Sequence, residues 1–333
     1  MNGQLLTVST SPHLLGSRSI RSMNLEYMIA LLPALLTGLY YFGSPALMLV
    51  LISTGSAVVV EYVITLILKK KPEVDNLHAA LMGFMLGLIL PAGAPWWIPV
   101  IGAGLAIVLG KLCFGGMGAY PMNPVLIAWA ALSLSWPEHM SAFVDATGWG
   151  SEEWVLTGSP LVQLKDDIGA LQLFEMGNLW KGAVPAAIGA GGTWALLLGG
   201  LYLVFRRIVA WQIPLGVILG AVIMSLLAAY TDPRVAELGL EGFSQNFDVV
   251  LFQLATGGLM IVAFFLAPEP VTSPMTGWGT FLFGLGIGCI AIIVRMWGKP
   301  VDGAYYGVLL MNAATPLLDR IKPRVIGKVV SGA

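Results

Sequence analysis

Residues 24–68 run NLEYMIALLPALLTGLYYFGSPALMLVLISTGSAVVVEYVITLIL, an apolar stretch whose only charges are Glu26 and Glu61. It is more than twice the roughly 20 residues that a helix needs to cross about 30 Å of hydrocarbon. We read it as two spans, 24–42 and 45–68. Stretches of the same character recur at 77–94, 96–113, 124–136, 182–205, 211–230, 248–267, 277–296 and 303–319. The fifth and tenth spans are short, and each follows a Gly-rich or Pro-rich stretch. Near-continuous apolar runs suit helices rather than the alternating segments of a transmembrane barrel. The expected fold is an all-α polytopic membrane protein of about ten transmembrane helices.

Composition supports this. Of 333 residues, 57% are hydrophobic and 11% charged, and the mean hydropathy is +0.83. A soluble domain carries roughly 25% charged residues, so a soluble enzyme and a disordered chain are excluded. A formal net charge of −1 gives no field to attract polyanions, so nucleic acid is excluded as a partner. Cys113 and Cys289 form no C-x-x-C pair and encode no disulfide, zinc or iron–sulfur site by themselves. The first twenty residues are polar, with Ser9, Thr10, Ser11 and Arg18, and lack the apolar core of a signal peptide. Insertion is therefore expected from the first internal span.

The cations orient the chain. With the N-terminus inside, Arg18, Arg21, Lys69, Lys70, Lys71, Lys111, Arg206, Arg207, Arg320, Lys322, Arg324 and Lys328 fall inside. Lys165, Lys181, Arg234, Arg295 and Lys299 fall outside, so twelve of the 17 cations share one side. The loop at 137–178 gathers Glu138, Asp145, Glu152, Glu153, Asp166, Asp167 and Glu175. Five segments follow: a cytoplasmic segment 1–23, a five-helix unit 24–136, an external or periplasmic loop 137–178, a second five-helix unit 179–319 and a cytoplasmic tail 320–333.

An odd number of spans per half makes the second half start from the opposite side, the arrangement of an inverted repeat. Weak internal similarity agrees. Asn76-Leu77-His78 opens a helix ending at Pro91, and Asn246-Phe247-Asp248 opens one ending at Pro268. Gly118-Ala119-Tyr120 leads to Asn123-Pro124, as Gly303-Ala304-Tyr305 leads to Asn312 and Pro316.

Residues 114–124 (FGGMGAYPMNP) and 267–274 (APEPVTSP) cannot be regular helix. Broken backbone at membrane depth is tolerated where protein covers it or where it lines a cavity, so each is either the frame of a pocket or a tight turn. Glu61 lies within a span, where an ionised carboxylate costs at least about 2.5–3.5 kcal/mol and so faces the bundle interior or water. It is a candidate for an ion pathway, or an acid bonded to a neighbouring helix. Asp248 is a second candidate of this kind. His78 and Glu26 sit at helix ends, and His13, His78 and His139 are too dispersed to form a metal site. No P-loop is present, and the Gly-rich runs lie in helices, which argues against nucleotide binding.

Four motifs, in order, carry a resemblance: Ser11-Pro12-His13, FGGMGAYPMNP at 114–124, PEPVTSPMTGWG at 268–279 and GVLLMNAATPLLDR at 307–320. Together the chain resembles, over nearly its whole length, the D subunit of the Rnf complex, the ion-translocating ferredoxin:NAD oxidoreductase of bacteria. More distantly it resembles the B subunit of the Na⁺-translocating NADH:quinone reductase. The resemblance implies ten helices in an inverted five-plus-five arrangement akin to urea transporters, placed in the bacterial inner membrane. It also implies FMN joined by a phosphodiester to the last hydroxyl of a Ser/Thr-Gly-Ala-Thr motif that precedes Pro-Leu. Here residues 155–162 read VLTGSPLV. Anchoring on Pro160-Leu161 puts Ser159 at the attachment position and Thr157-Gly158 before it, with the motif's alanine missing. Ser159 is the first choice for attachment and Thr157 the alternative. Trp149, Trp154 and Trp180 flank the loop as interfacial anchors.

A second, riboflavin-like flavin held non-covalently in the bundle is implied, as are an external FMN-bearing partner and a flavin transferase. The ion is Na⁺ or H⁺. The competing reading is a non-redox transporter or channel for a small solute or ion on the same repeat.

Overall fold

The first helix, α1 (Ile20–Ile67), is capped by Ser19, whose side chain accepts from the Ser22 amide. At 1.5 Å per residue its 48 residues would make a rod of roughly 72 Å, over twice the hydrocarbon thickness. Gly43 breaks it with φ 70° and ψ −157°, a conformation that glycine reaches freely. Two limbs result, as residues 24–42 and 45–68 predict. Asn24, at the start of the first limb, donates to the Asn76 carbonyl at 2.8 Å. Asn76 follows closely on the end of the second limb, so both limbs reach one end of the bundle.

The computed structural model describes residues 19–69, 74–146, 155–166, 174–232 and 243–321. Ser11-Pro12-His13, Arg18, Lys70, Lys71, Trp149, Glu152, Glu153, Trp154, Asp167, Arg234, Lys322, Arg324 and Lys328 lie outside the described residues. After α1 come α2 (His78–Ile89), α3 (Trp97–Leu105), α4 (Pro124–Ser135), α5 (Pro160–Asp166) and α6 (Thr193–Phe205). Then follow α7 (Gln212–Thr231), α8 (Phe243–Ala255), α9 (Gly277–Trp297) and α10 (Gly303–Leu318). A π-turn, Ala106–Lys111, and a 3₁₀ turn, Leu112–Phe114, extend α3.

Among the described residues, four helical runs are long and apolar enough to cross a membrane: α1, Trp97–Phe114, α7 and α9. A fifth is a broken span, in which Phe247–Ala255 meets Leu259–Leu266 at 69°. Large apolar side chains such as Leu36, Leu51, Leu201 and Phe205 face outward, as a lipid-facing surface requires and a water-facing one avoids.

The reading of the spans and of the repeat needs three corrections. The span at 182–205 is helical only from Thr193 onward. Residues 183–192 instead pack as irregular chain against the end of α2. Gly189 donates to the Leu88 carbonyl at 2.7 Å, and Ile188 to that of Leu90 at 3.0 Å. A Cβ on Gly189 would lie 2.7 Å from that of Leu88, so the glycine permits the approach. The span at 248–267 is two helices, because Gly257 turns with φ 64°. Finally, Gly118-Ala119-Tyr120 lies in a turn, whereas Gly303-Ala304-Tyr305 begins α10, so the matched triplets differ in conformation.

Glycine also sets the packing of α7 on α9. Gly216 and Gly220 on α7 meet Gly284 and Gly288 on α9, the small-xxx-small spacing that lets membrane helices touch backbone to backbone. An added Cβ would lie 2.3 Å from the Leu285 carbonyl at Gly220, and 2.1 Å from the Val217 carbonyl at Gly288. Gly83 and Gly87 of α2 likewise abut Ser53 and Val50 of α1. Overpacking a close contact costs about 1–3 kcal/mol. Gly220→Ala and Gly288→Ala should therefore lower the thermal midpoint of the purified protein. Gly55→Ala, at a site with open space, should leave it unchanged or raise it. Equal midpoints for all three variants would refute this packing.

Candidate functional site

The predicted attachment residues sit at the end of the bundle opposite Asn24 and Asn76. Helix α9, with 21 residues, connects the two ends over roughly 31 Å. Val155–Ser159 is held as an extended stretch beside residues 143–145. Asp145 donates to the Val155 carbonyl and Thr157 to that of Phe143, each at 3.0 Å. Pro160 then starts α5, its fixed φ suiting a first helical position. The Ser159 carbonyl accepts from Val162 at 2.9 Å and from Gln163 at 3.1 Å.

Ser159 is 7% exposed and lines a cavity of about 370 Å³. The cavity lies between α4, α10 and the break after α8; Trp129, Gly257, Lys299, Tyr305 and Tyr306 share its wall. The Trp129 ring lies 4.4 Å from that of Tyr305 and 5.3 Å from that of Tyr306, centroid to centroid. Such volume and apolar lining are typical of small-molecule sites. Thr157 is not among the lining residues, and its buried Oγ1 has no hydrogen-bond partner among the described residues. The structure thus brings Ser159, and not Thr157, to the cavity.

Beneath this wall, the guanidinium of Arg295 is buried. It donates to both the Gln253 and Thr256 carbonyls, at 2.6 and 3.0 Å, and to Asp302 Oδ1 at 3.0 Å. Asp302 Oδ2 in turn accepts from the Gly258 amide. The last carbonyls of α8 are therefore capped where its helix breaks. The sequence reading set Arg295 among the outside loop cations, and that is corrected: it lies in the last turn of α9 at 1% exposure.

Lys111 is corrected in the same way. It lies at 1% exposure in the π-turn and donates to Glu61 Oε1 at 2.7 Å. Glu61, the candidate for an ion pathway, is thus one half of a buried ion pair, and its Oε2 has no partner among the described residues. Asp248 is exposed on α8 and touches neither pair.

Near the Asn24 end a second constellation appears that sequence reasoning missed. Tyr120 donates to Glu269 Oε1 at 2.5 Å. With that proton committed, His78 Nε2 donates to the Tyr120 oxygen at 3.1 Å. The group borders a cavity of about 60 Å³ with Tyr27 and Asn123. Asn123 also caps α4, accepting from Val125 and Leu126 while donating to the Leu266 carbonyl. The helix-breaking runs at 114–124 and 267–274 therefore frame a pocket together. Among the described residues no group of His, Cys, Asp and Glu could hold a metal ion.

The NQR2, RnfD, RnfE family model matches residues 7–327. The D subunit of the Na⁺-translocating ferredoxin:NAD⁺ oxidoreductase complex of Acetobacterium woodii is 39% identical, over 98% of this chain and 97% of its own. The D subunit of the proton-translocating ferredoxin:NAD⁺ oxidoreductase complex of Clostridium ljungdahlii is 35% identical, over 95% and 94%. The D subunit of the ion-translocating oxidoreductase complex of Stutzerimonas stutzeri is 34% identical, over 94% of each.

Removing one partner of a buried ion pair costs about 3–5 kcal/mol, because the remaining charge is stranded. Lys111→Met should therefore lower the thermal midpoint sharply, and the double variant Glu61→Gln/Lys111→Met should recover much of the loss. A double variant no more stable than Lys111→Met would show that the pair is not what the single change breaks.

Proposed function

We propose, from the premise that this chain belongs to the NQR2, RnfD, RnfE family, that it is the D-type membrane subunit of an ion-translocating ferredoxin:NAD oxidoreductase complex and carries FMN on Ser159. The observation that supports the cofactor site is the position of Ser159 in the wall of the 370 Å³ cavity. The residues present fit the group. Trp129 and Tyr306, backed by the buried Tyr305, offer aromatic surface to a planar ring, and Lys299 offers a cation to a phosphate.

A flavin there supplies one- and two-electron redox chemistry. The chain itself supplies position. Ser159 Oγ is the tether, the aromatic wall excludes water, and the Arg295–Asp302 pair fixes the backbone at Gly257 and Gly258 on which that wall rests. An iron–sulfur motif and a nicotinamide site are not read in this sequence, so oxidation of ferredoxin and reduction of NAD fall to partner subunits. An FMN-bearing subunit is the electron partner and a flavin transferase loads Ser159. A riboflavin-like second flavin in the bundle belongs to the same reading.

The chain lies in the bacterial inner membrane with both termini cytoplasmic and the 137–178 loop outside, as ten spans in an inverted five-plus-five repeat. The broken span turning at Gly257 and the short helix α2, continued by irregular chain, favour that repeat, since discontinuous helices are a mark of such folds. Glu61, with one free oxygen beside Lys111, is the residue assigned to ion movement. The coupling ion is not chosen by similarity: of two relatives alike to within a few per cent, one is named Na⁺-translocating and the other proton-translocating. A non-redox transporter on this fold would have no use for a hydroxyl beside an aromatic-walled cavity.

Ultraviolet fluorescence of the denatured chain in a gel, after expression with the transferase, tests the reading. Wild type and Thr157→Ala should give a fluorescent band, and Ser159→Ala should not. Retention in Ser159→Ala with loss in Thr157→Ala would move the tether, and a dark wild type would overturn the covalent flavin.

A further inference from the structure

The acceptor hydroxyl presents a difficulty. Ser159 is 7% exposed, and a transferase must reach the atom that it modifies. The surroundings show what closes the site. Lys165, on α5 and six residues past Ser159, donates to the carbonyls of Gly298 at 2.8 Å and Lys299 at 3.2 Å, and also to that of Pro300. These are the free carbonyls just beyond the C-terminus of α9, where a cation is favoured. Lys299 and Pro300 belong to the wall of the cavity that Ser159 lines. Leu161 meanwhile seats at the α8 break, so close that a Cβ on Gly257 would lie 2.5 Å from Leu161 Cδ1. Burial pulls the Lys165 ammonium below the usual lysine range, and Asp302 offsets part of that effect. One side chain thus ties the acceptor segment to the opposite wall of its own cavity.

We infer that Lys165 is a positioning residue for the cofactor: it clasps the 155–166 segment shut, so flavin is attached to Ser159 while the segment is undocked and is enclosed when the clasp forms. The inference rests on the assignment of Ser159 as tether. The transfer takes FMN from FAD. The pyrophosphate P–O bond breaks, a bond forms from Ser159 Oγ to the FMN phosphorus, AMP leaves, and the serine proton passes to a base. No electrons move. Attachment to an already folded, flavin-free chain is then limited by opening of the clasp.

The assembled complex, purified from cells lacking the transferase, is incubated with transferase and FAD, and covalent flavin is followed in the gel with time. Loss of the charged hydrogen bonds should raise the open population, so Lys165→Met should be loaded about tenfold faster than wild type. Lys165→Arg, which keeps a cation and its donors, should stay near the wild-type rate. If Lys165→Met fails to assemble, Leu161→Ala loosens the same segment from its other contact and should also load faster. Equal rates in wild type and the loosened variant, with all of them fluorescent when co-expressed with transferase, would overturn the clasp and leave Ser159 as tether. Darkness in every sample, co-expressed ones included, would overturn the tether and the clasp with it.

Discussion

A peptide group without a hydrogen-bond partner costs several kcal/mol in hydrocarbon, and this chain interrupts its helices repeatedly. Four of these interruptions are answered by a specific partner. The end of α2 is paired by irregular chain at Ile188 and Gly189. The end of α8 is capped by Arg295, the end of α9 by Lys165, and the start of α4 by Asn123. A chain with 11% charged residues places two of its few cations, Arg295 and Lys165, where the backbone ladder stops. The cavities lie at the same places, since a helix that stops inside a bundle leaves room beside it.

The two ends of the bundle differ in character. The Ser159 end has an aromatic wall with charge only at its margins, as suits a planar cofactor. The Asn24 end has a hydrogen-bonded run of imidazole, phenol and carboxylate beside a space that holds little more than water. The Glu61–Lys111 pair lies toward that same end, since Glu61 is six residues before the end of α1 at Ile67. On the proposed reading, an electron carrier at the Ser159 end and protonatable groups at the other is the division expected of a protein that takes part in coupling redox work to ion movement.

Much of this was legible in the sequence, and the reasons for the rest are physical. Apolar run length located the first two spans, because Gly43-Ser44-Pro45 is a break with a local cause. It failed at 182–205, since Ala, Val and Ile score as apolar whether helical or not, and only contact with Leu88 decides against helix there. The proposed tether rests on the resemblance anchored at Pro160-Leu161, and nothing local in the sequence says that Ser159 faces the cavity while Thr157 does not. Lys111 could have been found: a lone acid within a span wants a partner at the same depth, and Lys111 is the only charge in the run at 96–113. Glu269 was hidden because its partner Tyr120 is remote in sequence, and Arg295 because the carbonyls that it caps, at Gln253 and Thr256, belong to another helix.

The glycine contacts between α7 and α9 have a mechanical consequence. Backbones that touch at Gly216, Gly220, Gly284 and Gly288 leave no soft layer of side chains to shear. The pair therefore moves as one stiff strut reaching from the Trp278 end to the Lys165 clasp. A displacement at one end of such a pair is passed to the other with little loss, and among the described residues the turn at Gly257 and the irregular chain at the end of α2 interrupt the helices beside it.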